Sequence, residues 1–255
     1  MRQKALVTIV GNGGEMFKIW YRYYAQYFEP QDIYILAFNS TDGSTDALTC
    51  NVEEYPDKKV CVEQIPYHNV FLNEYKSKLL EKYETIVYAD YDEILYYTEG
   101  LDKLIDELKD KYLNPFGFEV IQRRSTTNKS LEGVFDYSKS VLSQRAYWYR
   151  NISFDKPLIT KMDFNWAQGN HAAYASIPKL ASKRPKPRRP TAPPKDVKVR
   201  LPRIYKPGFY LLHLKHIDYE RCELLYPRID LRKHWLNLGR KIKKIPEKIA
   251  NKDFV

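Results

Sequence analysis

The chain has 255 residues, 44 % of them hydrophobic, with 22 Tyr and 11 Phe, which excludes a disordered polymer and fits one large domain better than two. A net charge of +10 would suit a nucleic-acid binder, but residues 183–206 alone hold ten Lys or Arg and one acid. The remainder is close to neutral, so no general basic face and no nucleic-acid partner are expected.

Three cysteines, Cys50, Cys61 and Cys222, lack any C-x-x-C spacing. They argue against a disulfide framework or a zinc site and for a reducing compartment. No run approaches the roughly 18 apolar residues of a membrane span. The opening MRQKALVTIV is too short in its apolar part for a signal peptide and reads as a buried first strand. A cytoplasmic protein is expected, with any membrane contact peripheral.

Residues 5–10 form that strand and run into Gly11-Asn12-Gly13-Gly14. Residues 15–28 (EMFKIWYRYYAQYF) set Phe17, Trp20, Tyr21, Tyr24 and Phe28 at helical spacing. Residues 33–38 (IYILAF) are a second strand, leading into Thr41-Asp42-Gly43-Ser44-Thr45-Asp46, read as a turn and a helix N-cap through Ser44 or Thr45. A shorter strand is expected at 60–65 and a helix at 69–82. Residues 85–89 (TIVYA) form a third apolar strand that delivers the chain into Asp90-Tyr91-Asp92-Glu93.

An amphipathic helix is expected at 101–112, then strands around 116–122 and 141–149. Residues 183–207 contain seven prolines, which neither a helix nor a central strand tolerates; they read as a loop or lid. An apolar strand returns at 208–214 (GFYLLHL), and residues 219–249 look helical and basic. Strands alternating with helices predict an α/β fold.

Asp90 and Asp92 lie two apart after an apolar strand, where open α/β sheets bind ligands. In extended chain such a pair points to one side, and two converging carboxylates call for a cation between them. Mg²⁺ and Mn²⁺ bind through one or two carboxylates plus substrate phosphates. Alone, the pair reads as readily as a solvated acidic turn; its place at a strand end and the other motifs argue for a site.

In order along the chain stand TIVGNGGE with Trp20, the TDGSTDA loop at 41–47, Asp90-Tyr91-Asp92-Glu93, Asp155-Lys156-Pro157, Gly169-Asn170-His171 and Leu211-Leu212-His213-Leu214. Over residues 8–225 this series resembles the family-2-type glycosyltransferases of the GT-A fold, particularly the branch grouped with the family-92-like enzymes. The resemblance implies a GT-A (Rossmann-like) three-layer α/β fold, with a central mostly parallel mixed sheet flanked by helices. A single domain, 1–255, would comprise a nucleotide-sugar half (1–112), an acceptor-side half (113–225) with the basic loop 183–207, and a helical basic tail (226–255).

By the same resemblance the donor is a UDP- or GDP-linked sugar and the acceptor a glycan or glycoprotein. Val10, Gly11 and Asp42 would contact the nucleoside, and Asp90 the ribose or the metal. Asp92 would be the main ligand of Mn²⁺ or Mg²⁺. His213 is the preferred histidine ligand, His171 the alternative or an acceptor-side residue, and His216 the least expected. The bare catalytic unit resembles microbial or large-DNA-virus enzymes, working in a host cytoplasm, more than membrane-tethered ones.

Lys156, Lys161 or arginines of the basic segment would stabilise the leaving diphosphate. The Glu-Asp pair that usually supplies the catalytic base is missing here. Asp163 is the candidate base, with Asp136 and Asp155 behind it, and inversion or retention is open. Tyr147, Trp148, Tyr149 and Trp166 would stack on sugar rings or fill the core. A nucleotidyl transferase is the nearest rival, but Gly11-Asn12-Gly13-Gly14-Glu15 lacks the basic residue of a phosphate loop.

Overall fold

The computed structural model describes residues 2–46, 48–54, 65–125, 127, 129–177, 197–225, 235 and 241–250. Strand β1 (Arg2–Val10), helix α1 (Gly14–Tyr24) and strand β2 (Ile33–Ala37) make a β-α-β unit, with β1 and β2 parallel. Ala5, Leu6, Val7, Ile33, Ile35 and Leu36 are buried, as a strand covered on both faces requires. The aromatic stripe of α1 is its core face: Phe17, Trp20, Tyr23 and Tyr24 are all buried.

Strand β3 (Asn51–Glu54) adds in parallel to β2. Helix α2 (Ile65–Leu80) then returns the chain to β4 (Tyr83–Tyr88), parallel to β1 on its other side. The order β3-β2-β1-β4 changes direction at β1. A crevice outside the carboxyl ends of β1 and β4 is where such a sheet takes a ligand.

The rest of the chain comprises β5 (Glu93–Tyr97), α3 (Leu101–Asp106), β6 (Tyr112–Ile121), α4 (Val141–Gln144), β7 (Tyr147–Arg150) and β8 (Ile159–Thr160). It continues with β9 (Asn165–Trp166), β10 (Ala173–Ile177), β11 (Val197–Arg200), β12 (Tyr205–His216), α5 (Tyr219–Leu225), β13 (Lys243–Lys244) and α6 (Glu247–Ala250). Among the described residues, ten strands join one mixed, mostly parallel sheet, and β9, β10 and β11 form a small antiparallel one. Strand β12 lies between β5, antiparallel to it, and β6, parallel to it. The molecule is therefore α/β with a mixed central sheet.

Several local expectations change. The helix expected at 101–112 ends at Asp106, because Tyr112 and Leu113 pair with β8 and are buried. The strand expected at 141–149 divides into α4, which buries Val141 and Leu142, and β7. No described helix begins at 41–46; Gly43 turns the chain at φ 72° and Asp42 folds back on Ser44. The strand expected at 60–65 falls on residues outside those described, except Ile65, which opens α2.

Within the proline-rich stretch, residues 183–196 lie outside the described residues, but Val197–Arg200 is an edge strand and β12 begins at Tyr205. Pro207 is accommodated where the β12–β6 register shifts, next to Gly208 at φ 84°. In the tail, α5 and α6 are helical and Lys243–Lys244 is a short strand. No helix among the described residues is long and apolar enough to cross a membrane.

Candidate active site

At the ends of β1 and β2 two loops are tied to each other. Val10 O accepts Phe38 N at 2.7 Å, and a Cβ on Gly11 would stand 2.8 Å from Phe38 O, so only glycine allows this approach. Asn12 Oδ1 accepts Thr41 N at 2.8 Å, and Asp42 Oδ2 accepts Gly14 N at 2.8 Å. Burial alone would raise the Asp42 pKa, but hydrogen bonds from Ser44 and Gly14 outweigh it and hold the carboxyl below its usual range. Val10, Gly11 and Asp42 thus lie together at the carboxyl ends of β1 and β2.

Beyond β4 the chain does not stay extended. Glu93 N donates to Asp90 O at 2.8 Å, closing a turn over residues 90–93, and the two aspartates part. Asp90 receives Lys156 Nζ at 2.9 Å and the Tyr88 hydroxyl. Lys156 Nζ also donates to Glu93 Oε1 at 2.5 Å, and both of these side chains are buried. Burial would lower the Lys156 pKa, yet Asp90 and Glu93 outweigh it and keep the ammonium charged. Burial pushes Glu93 up to about 7 despite the pull of Lys156.

Asp92 turns the other way. Its carbonyl accepts Leu214 N at 2.7 Å, which sets the turn against β12 and brings Asp92 Oδ2 to 3.4 Å from His213 Nε2. His213 Nδ1 faces Glu119 Oε2 at 3.6 Å and has no hydrogen-bond partner. Glu119 on β6 also accepts His216 Nδ1 and, at 2.7 Å on its other oxygen, Asn151 Nδ2. Burial would raise the Asp92 pKa, but the His213 charge, helped by Lys156 and Arg221, holds it at about 2. Burial would lower His213, and the Asp92 and Glu119 carboxylates lift it to about 10.

Asp92 and His213 form an ion pair with a charged imidazole; only with the Nε2 proton lost could Asp92 Oδ2 and His213 Nε2, 3.4 Å apart, both turn to a divalent cation. Glu119 Oε2 stands 3.6 Å from the distal imidazole nitrogen, on the side where a metal-binding histidine usually donates to a carboxylate, but too far for that hydrogen bond here. Among the described residues no three His, Cys, Asp or Glu side chains converge on one point. Water and phosphate oxygens would have to complete the shell, as they do for Mg²⁺.

Beside this pair, Phe154 stacks on His213 with centroids 4.2 Å apart and meets His171 at 6.3 Å. His171 Nδ1 donates to Ser153 O at 2.5 Å. Burial lowers the His171 pKa; Lys156 and Arg203 push it the same way, and Asp90 opposes them. Sequence reasoning missed Phe154 and Glu119. Glu119 had a signal, a lone acid inside the apolar run FGFEVI; Phe154 had none.

Other candidate residues stand in different settings. Asp163 is taken up by Lys76 Nζ at 2.5 Å and by Ser77 Oγ. No described hydrogen bond or ion pair joins it to the Asp90–Glu93 turn. Asp155 is buried and binds Gly117 N, Arg150 and Tyr205, while Asp136 caps Ser138 and meets Lys139. Lys161 pairs with Glu84 at 2.8 Å. Trp166 is 3 % exposed, donates its indole N–H to Pro157 O, and packs 5.5 Å from Tyr88. Trp148 and Tyr149 are likewise buried, and Tyr147 is half-buried with Arg123 over its ring.

No family model matches this chain, and no curated protein sequence matches it.

Proposed function

We propose that the protein is a divalent-metal-dependent glycosyltransferase of the GT-A type, taking its sugar from a nucleoside-diphosphate sugar and delivering it to a glycan or glycoprotein. The observation that carries this reading is the Asp92–His213 pair at 3.4 Å, backed by Glu119, at the carboxyl end of β4. The crevice beside it is rimmed by the tied loops of β1 and β2.

In this reading Val10, Gly11 and Asp42 border the nucleoside. Asp92 and a deprotonated His213 would hold Mn²⁺ or Mg²⁺, which would supply charge neutralisation at the diphosphate leaving group. Asp90 faces the ribose with its carboxylate oriented by Lys156 and Tyr88. Lys156 has little exposure and two carboxylates to neutralise, so it positions Asp90 and does not itself grip the diphosphate. Asp163 is engaged by Lys76 and is not proposed as the base.

A thermal-shift panel of UDP, GDP and their sugars, with and without Mn²⁺, tests the proposal. Stabilisation by one nucleoside diphosphate should need the metal, and Asp92→Asn should remove the metal-dependent part. If no nucleoside diphosphate stabilises the protein with metal present, the transferase reading fails.

A further inference from the structure

We propose that the small sheet β9–β10–β11 and its exit into β12 bind a polyanionic acceptor, a glycan bearing carboxylate or phosphate groups, with Arg203 nearest the reacting end. The inference rests on the glycosyltransferase reading and names the acceptor's chemical class.

Residues 165–177 and 197–206, which build this sheet and its exit, include Lys198, Arg200, Arg203 and Lys206 and no Asp or Glu. Lys198 and Arg200 stand opposite Ser176 and Tyr174 of β10. Being two apart on a strand, they project to one face. Both are exposed, and neither has an ion pair among the described residues. Lys206 differs: it lies over the Tyr97 ring and 3.9 Å from Glu107.

Arg203 is held on a fixed backbone. Leu201 N donates to Ala173 O at 2.9 Å, Pro202 O accepts the Tyr112 hydroxyl, and Ile204 exchanges hydrogen bonds with Asn114. Its guanidinium approaches Asp155 only to 3.7 Å, because Arg150 already occupies that carboxylate at 2.5 Å. One buried acid thus serves two arginines and a positive charge is left over. Ordering this side chain before binding removes part of the entropic cost of capturing an anion.

The surface adjoins the site. Trp166 of β9 packs on Tyr88, whose hydroxyl binds Asp90. Arg203 faces Asp155 at 3.7 Å, and the neighbouring Phe154 stacks on His213 and meets His171. An anion on Arg203, Arg200 and Lys198 would therefore lead towards the sugar-transfer crevice. A neutral glycan would leave these cations unanswered.

The test uses the full chain and a fluorescent oligogalacturonate, with a malto-oligosaccharide of equal length and an oligonucleotide of equal charge as comparators. The oligogalacturonate should bind, weakening with salt, and K198Q/R200Q/R203Q should lower its affinity about tenfold. The UDP–Mn²⁺ thermal shift of that variant should stay as in the parent, which also shows that it folds. Equal binding of the malto-oligosaccharide, tighter binding of the oligonucleotide, or unchanged affinity in the triple variant overturns the proposal. So does a triple variant that loses the UDP–Mn²⁺ shift yet keeps the oligogalacturonate, since Arg203 would then serve the donor. If the parent binds the oligogalacturonate through these residues but no nucleotide stabilises it, the acceptor role falls with the transferase reading.

Discussion

The two rims of the candidate site are built from different physics. At the ends of β1 and β2 the loops are joined by short polar contacts at the surface: Asn12 to Thr41, and Asp42 to Gly14 and Ser44. At the ends of β4, β6 and β12 the polar groups are mostly buried, with Lys156 between a half-buried Asp90 and a fully buried Glu93, and Glu119 between His213 and His216. Water screens the first rim, so losing one contact there costs little. In the second rim a charge without its partner has no solvent to turn to. The first rim should therefore tolerate change and the second should not.

The largest expected effect is at Lys156. Lys156→Met strands Glu93, fully buried, beside Asp90 and should destabilise the fold by about 3–5 kcal/mol in urea unfolding. Adding Glu93→Gln should recover a good part of that loss, because the uncompensated charge is gone. A loss below about 1 kcal/mol for the single variant would erase the contrast between the rims.

Next comes Gly117, where a Cβ would lie 2.4 Å from Phe154 Cβ and 2.6 Å from Phe154 carbonyl carbon. Gly117→Ala should cost about 1–3 kcal/mol through forced backbone movement. It should also shift Phe154 off His213, which a weakened Mn²⁺-dependent nucleotide shift would report. An unchanged shift would show that Phe154 does not position the histidine.

Asp42→Ala should matter least, about 1 kcal/mol or less at pH 7, because the carboxylate is exposed and screened. Its folded-state pKa lies below the unfolded value, so the unfolded chain binds the proton more readily. The stabilisation is present above the ordinary carboxylate pKa of about 4 and fades as pH falls through the folded value. Urea midpoints of parent and variant should converge as pH falls below the ordinary carboxylate range; a gap that widens instead would contradict the hydrogen-bonded carboxylate.

The parallel half was legible because its signals are local. Residues 5–10 and 33–38 are apolar runs bounded by Gly and Pro, and the α1 stripe has helical period. The DxDE turn was found by its place after the TIVYA run, and His213 by the strand that carries it. The geometry of the pair was not legible: an extended Asp90 and Asp92 would converge, but the turn closed by Glu93 N sends them to different partners. Asp163 stood in the sequence as the candidate base, and only the fold brings Lys76, 87 residues away, onto it.

The sequence by itself determined an α/β chain whose first strands bury both faces, and carboxylates delivered to the carboxyl end of one of them. Period and turn chemistry act over a few residues, so they survive in one dimension. Tertiary structure alone decided that Asp92 meets His213, that Glu119 stands behind it, and that Lys156 neutralises Asp90 and Glu93. Those pairings join β4 to β12, β12 to β6, and residue 156 to the 90–93 turn. They exist because burial leaves each ion only the partner that packing brings within reach.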